Sequence, residues 1–144
     1  MSASARGRSN RARGAAKERE LFALLSESLG IKVERELAQS RDGGADSRGV
    51  PGWVIECKYV QQLARPTWWR QVLRAASESG RQPALFYRVA RPRGAPLSDA
   101  WLAIVPAHLS PDGGERIRGL RDAVLVSYAT AVRALQAPHP QDNQ

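Results

Sequence analysis

The chain has one cysteine, one methionine, two histidines and no long apolar run, and each scarcity closes off a class of function. Cys57 alone cannot form an internal disulfide and lacks the partners of a zinc site, so redox chemistry is not expected and a reducing compartment is. His108 and His139 stand in proline-flanked segments without metal-ligand spacing and read as loop residues, and no arrangement supports Ser-His-Asp catalysis. Gly113-Gly114 beside Asp112 is a turn rather than a phosphate loop, and no small-molecule cofactor is expected. Without a membrane-spanning apolar stretch or a charged-then-apolar leader, the expectation is a cytoplasmic protein with no membrane contact.

Acidic residues are also in short supply. Fourteen Asp and Glu face 19 Arg and 3 Lys, a net charge of +8 at pH 7. That balance favours a polyanionic partner, nucleic acid first, because Arg and Lys neutralise phosphates and release condensed counterions. Arginine-rich usage also follows from a biased genome, so placement matters more than the total. Arg6, Arg8, Arg11, Arg13, Lys17 and Arg19 all precede the first apolar segment, among Ser, Ala and Gly residues that predict a mobile basic arm over residues 1–13. Such an arm suits a phosphate backbone.

The 144 residues, 42% hydrophobic, suit one domain, taken as residues 14–136, with a disordered tail at 137–144. A helix is predicted from about Ala15 to Gly30, a capping residue. Around it, Leu21, Phe22, Leu25 and Leu29 cluster about one direction shared by Glu18, whereas Glu20 points nearly opposite. Glu18 therefore reads as an inward acid and a candidate site residue, and Glu20 as a solvated one; the alternative for Glu18 is a first-turn acid complementing the helix dipole. Ile31, Val33 and Leu37 alternate as in a strand, with Arg35 on the same face. Gln39 to Gly49 reads as a loop, and Pro51-Gly52 as a turn favouring a hairpin into a strand at Trp53 to Val60.

After Arg65-Pro66-Thr67 as a cap, a helix is predicted from Trp68 to about Ser79, ended by Gly80. Strands follow at Ala84 to Val89 and Trp101 to Val105, joined through an Arg91-Pro92-Arg93-Gly94 turn, with another near Ala123 to Val126 and a closing helix after Ser127. The order implies an α/β fold, a central mixed β-sheet of about four or five strands flanked by helices.

The chemistry concentrates in two places. In Trp53-Val54-Ile55-Glu56-Cys57-Lys58, strand alternation puts Glu56 and Lys58 on one side and Trp53, Ile55 and Cys57 on the other. About ten residues upstream stands Asp46, in Asp42-Gly43-Gly44-Ala45-Asp46. Carboxylates facing one cleft with an ammonium beside them provide oxygen ligands for a divalent ion and a positive group for water or phosphate, the requirements of a metal-dependent nuclease. A lone Glu-x-Lys is weak, since charges alternate on any half-exposed sheet; Asp46, an inward Glu18 and the basic chain strengthen it. Asp42 is a rival to Asp46, which the glycine pair and the position nearer the strand favour.

The run Arg13-Gly14-Ala15-Ala16-Lys17-Glu18-Arg19-Glu20-Leu21-Phe22-Ala23-Leu24-Leu25, then Arg35, Gly43-Gly44-Ala45-Asp46 and Ile55-Glu56-Cys57-Lys58, resembles archaeal-type Holliday junction resolvases and their phage relatives in the PD-(D/E)XK nuclease superfamily. The resemblance covers roughly residues 11 to 90 and implies a restriction-endonuclease-like core. It is also similar to small phage proteins in which Arg65-Pro66-Thr67-Trp68-Trp69-Arg70-Gln71 follows the catalytic strand. It departs from the pattern at Ala45, where the naming proline would stand.

By position, the resemblance implies that Glu18, Asp46, Glu56 and Lys58 are catalytic, and that the three acids bind Mg²⁺, with Mn²⁺ as a substitute. The main-chain carbonyl of Cys57 would be a further ligand, and Gln71 would approach the metal. It implies DNA recombination or repair, a 5′-phosphate product, a homodimer cutting two strands symmetrically, and DNA, branched or not, as partner. Arg11, Arg13, Lys17, Arg35, Arg65, Arg70 and Arg74 are candidate phosphate contacts. Adjacent helix residues diverge by about 100°, so one of Trp68 and Trp69 is expected in the core, and Trp68 is the candidate for base stacking. Related cores cut duplexes, ends or flaps, so a restriction or repair nuclease is the alternative enzyme; a non-catalytic DNA-binding protein is the alternative of another class.

Overall fold

Four apolar segments, around Trp53, Leu85, Ile104 and Leu125, form the main strands of one sheet. The computed structural model describes residues 3–34, 49–59 and 63–137, with residues 3–11 as backbone alone. In order, its elements are α1 (Ala3–Leu29), β1 (Trp53–Lys58), α2 (Arg65–Ser79), β2 (Gln82–Arg88), β3 (Trp101–Pro106), β4 (Glu115–Arg116), β5 (Ala123–Ser127) and α3 (Tyr128–Gln136). The strands form one mixed sheet in the order β1-β2-β3-β5-β4. β1 and β2 are parallel, joined across α2, and the remaining pairs are antiparallel. The α/β architecture with a helix-flanked central mixed sheet is as the element order implied.

The two faces carry separate cores. On one, Trp53, Phe86, Ala103 and Val105 of the sheet meet Leu21 and Leu25 of α1 and Ala131, Ala134 and Leu135 of α3. On the other, Val54, Leu85, Tyr87 and Ile104 meet Trp68, Trp69, Val72 and Ala76 of α2, and Ile117 completes the layer. Strand alternation accounts for the division, since neighbours such as Trp53 and Val54 enter opposite layers.

Several boundaries differ from expectation for local reasons. α1 begins at Ala3, well before Ala15, so helical backbone runs through the stretch expected to be a mobile arm. Its alanines and arginines are good helix formers and no proline interrupts them. Residues 31–34 form no strand, and Leu37 lies outside the described residues. α2 starts at Arg65 rather than Trp68, because Pro66 fits the first turn, where its missing N–H has no partner to lose. Gly80 ends α2 in a left-handed conformation at φ 68°, and its N–H reaches back to the last turn. The Trp53 N–H donates to the Val50 carbonyl at 3.1 Å over Pro51-Gly52, with Gly52 at φ 82°, a turn that proline followed by glycine favours. The hairpin partner expected for it lies outside the described residues. Ser127 caps α3, accepting the Thr130 N–H at 3.2 Å.

Candidate functional site

Glu18 and Glu20 stand about 200° apart on α1, and the helix lies on the sheet with fully buried Leu21 and Leu25 between them. Both acids therefore reach the sheet, on opposite flanks. Glu20, expected in solvent, is mostly buried: its carboxylate accepts from Arg88 Nε at 2.7 Å and Trp101 Nε1 at 2.8 Å. Leu24, one turn further and packed against the core, is the signal that the apolar stripe extends to Glu20's side. Burial pulls the Glu20 carboxyl upward, but the hydrogen bonds from Arg88 and Trp101 and the charges of Arg88 and Lys17 outweigh it. Its pKa falls below the ordinary value.

Glu18, on the other flank, lines a cavity of about 240 Å³ along the outer edge of β1. The lining comes from both faces of the strand: Trp53, Ile55 and Cys57 from one, Val54 and Glu56 from the other. Phe22, Val33 and Glu34 close it beside α1, and Ala75 of α2 closes it opposite. Ser26 holds this wall, accepting the Val33 N–H at 2.9 Å while donating to the Phe22 carbonyl at 2.7 Å. Glu34, whose carboxylate pairs with Lys32 at 2.9 Å, also lines the cavity, and the sequence reading did not single it out. Its place beside apolar Val33, five residues past the end of α1, is the signal available.

Glu56 and Lys58 project to one side of β1, as strand alternation requires, and form an ion pair at 3.5 Å. The Cys57 thiol lies between the flanks and registers the surrounding charge. Burial first, then the carboxylates of Glu18, Glu56 and Glu20, push its pKa up to about 12, with Lys58 acting in the opposite sense. Burial and the neighbouring carboxylates both disfavour its thiolate. Its carbonyl is placed differently. The Gln82 N–H donates to the Gly52 carbonyl at 2.9 Å, so the backbone groups of Val54, Glu56 and Lys58 also turn toward β2. Those of Cys57 turn to the outer edge, where no described strand pairs with β1.

The structure thus brings Glu18, Glu56 and Cys57 to one cavity, with Lys58 tied to Glu56. Asp46 and its rival Asp42 lie outside the described residues, as do Arg35, His139 and the side chain of Arg11. Among the described residues no three His, Cys, Asp or Glu side chains form a ready metal cage. The residues that share this cavity offer two carboxylates and an outward main-chain carbonyl, hard oxygen ligands of the kind that suit Mg²⁺ or Mn²⁺.

The other candidates divide by exposure. Arg13, Arg70, Gln71 and Arg74 are exposed and Arg65 is half-buried. Gln71 is not part of the cavity lining; Ala75, one turn further along α2, takes that place. Lys17 is engaged, 3.6 Å from Glu20 and 5.6 Å from the centre of the Tyr59 ring. Trp68 is a correction. It is buried at 7% exposure with its ring centre 6.1 Å from that of Tyr87, and Trp69 is buried too, so neither indole is presented to a base. Both fit inside because α2 lies over β1 and β2 with an apolar face wider than the angle between neighbours. No protein-family model, curated protein or solved structure matches the chain.

Proposed function

We propose that the chain is a metal-dependent DNA endonuclease, selective for branched structures in the manner of the junction resolvases its motifs resemble. The observation that carries this reading is the convergence of Glu18 and Glu56 on one cavity at the edge of β1, with the Lys58 ammonium 3.5 Å from the Glu56 carboxylate. Carboxylates beside a polyanionic substrate would repel it unless a cation stood between them.

Glu18, Glu56 and the Cys57 carbonyl would hold Mg²⁺ or Mn²⁺, and Asp46 is assigned to the same set by its place in the motif. Bound there, the ion supplies Lewis acidity toward a phosphate oxygen and an attacking water. Lys58 offers positive charge and hydrogen-bond donors to the phosphate, and Glu56 holds that ammonium in place. The Glu20 clamp and the Ser26 hydrogen bonds keep α1 and the Val33 wall where Glu18 faces the cavity. The exposed arginines Arg13, Arg70 and Arg74 supply positive surface for the backbone, and the product would carry a 5′-phosphate.

The test is incubation of purified protein with a labelled four-way junction, a matched duplex, a flap and a single strand, in Mg²⁺ and in chelator. Junction cleavage that requires the metal supports the full reading. Equal cutting of duplex or ends points to a restriction or repair nuclease, and binding without metal-dependent cleavage to a non-catalytic DNA-binding protein.

A further inference from the structure

β1 and β2 are parallel with Lys58 opposite Tyr87, so both strands end on the same side of the sheet. The chain then leaves β2 through Val89-Ala90-Arg91-Pro92-Arg93-Gly94 and returns at Ala100, whose carbonyl accepts the Val89 N–H at 2.7 Å. This loop emerges beside Lys58 and Tyr59, one strand inward. α1 is fastened to the same end twice, by Glu20 to Arg88 at 2.7 Å and by Lys17 over the Tyr59 ring.

The loop's arginines differ in how they are engaged. Arg88, at its root, is used by Glu20 and by the Val89 carbonyl at 2.6 Å. Arg91 and Arg93 are exposed and have no ion-pair partner among the described residues, and the one acid between Val89 and Ala100 is Asp99, six residues beyond Arg93. The tip is also shaped. The Ala95 N–H donates to the Pro92 carbonyl at 3.0 Å with Gly94 at φ 79°, which sets Arg93 at the corner of a tight turn beside a fixed proline. Two exposed cations on a short, proline-stiffened turn have little conformational freedom left to lose on binding, and a row of phosphates is the partner whose charge answers them.

We propose that the β2–β3 loop is a grip for a nucleic-acid backbone, with Arg91 and Arg93 as its phosphate contacts at the Lys58 end of the cavity. The proposal rests on the nucleic-acid part of the function put forward above, not on cleavage. It is tested with an Arg91→Gln/Arg93→Gln variant against an Arg116→Gln/Arg118→Gln variant, which removes the same charge from the β4 side, the opposite edge of the sheet. Affinity for labelled duplex and four-way junction is measured in chelator over a range of salt, with thermal melting as the folding control.

The expected result is tenfold or greater weakening for the loop variant at moderate salt, roughly, with the slope of log affinity against log salt reduced by about 2. The melting temperature should be unchanged and the β4-side variant much less affected. Unchanged affinity and slope in the loop variant, or equal losses in both variants, would overturn the grip. Cleavage is scored separately on the wild-type chain in Mg²⁺. Loop-dependent binding without cleavage sinks the nuclease reading and keeps the grip, metal-dependent cleavage with loop-independent binding does the reverse, and a wild-type chain that binds no nucleic acid ends both.

Discussion

Glu20 of α1 and Arg88 of β2, 68 residues apart, meet at 2.7 Å with the Trp101 indole donating to the same carboxylate oxygen. This pair ties the first helix to the sheet, and its energetics follow from burial: both side chains are less than a fifth exposed. Removing one partner leaves the other charged and half-dehydrated. Arg88→Ala or Glu20→Ala should each cost about 1–3 kcal/mol of stability, read from denaturant midpoints, and the double variant less than their sum.

The same pair sets an acid limit. Because Glu20 titrates below its ordinary value of 4.5 when folded, its stabilisation is present above that value and is lost as pH falls through the lower folded pKa. Stability measured from pH 5 downward should therefore decline less steeply in Glu20→Gln than in the wild-type chain. An equally steep decline would remove Glu20 from the acid limb.

On the proposed function, Glu56→Gln and Lys58→Ala should abolish metal-dependent cleavage while leaving DNA affinity in chelator within about threefold, because the exposed arginines Arg13, Arg70 and Arg74 are untouched. Glu18→Gln should raise the metal concentration needed for cutting, and Glu20→Gln should raise it less, because an amide oxygen at position 20 can still accept from Arg88 and Trp101 and hold α1 in place. Gel assays against a Mg²⁺ series separate these outcomes.

The Cys57 thiol, pushed up to about 12, should resist thiol reagents at pH 8 in the folded protein and react promptly in denaturant. Fast labelling of the native chain would contradict the burial and charge around it.

Gly114 approaches the sheet so closely that an added Cβ would lie 2.8 Å from the Leu125 carbonyl oxygen and 2.7 Å from Val126 Cγ1. Gly114→Ala should lower stability by about 1–3 kcal/mol through displacement of the β4–β5 edge. Gly94→Ala meets no atom within 4 Å, so its cost should arise only from the positive φ.

Local chemistry made much of this molecule legible. Gly80 and Ser127 marked helix ends because their conformational and capping preferences act without distant partners, and Glu56 and Lys58 shared a face because a strand permits nothing else. What depended on another element was harder to read. Glu20 looked solvated until the breadth of α1's contact, through Leu24, and the arrival of Arg88 and Trp101 were known. Trp68 and Trp69 looked divided between core and surface because the width of the sheet under α2 is not written in either residue. Glu34 gave no periodic signal, since it follows α1 in an irregular connection.

The Ser28 and Tyr128 hydroxyls meet at 2.8 Å, and Gln136 Nε2 donates to the Ser28 carbonyl at 3.4 Å, joining α1 to α3 across a hundred residues of chain. Leu21 and Leu25 share their core with Ala134 and Leu135. During synthesis, then, the first helix emerges with a greasy stripe that the sheet covers in part and α3 finishes covering. The pocket beside Glu18 is walled by α1, β1, α2 and the segments before β1 and takes nothing from α3, so its lining can assemble before the closing helix docks.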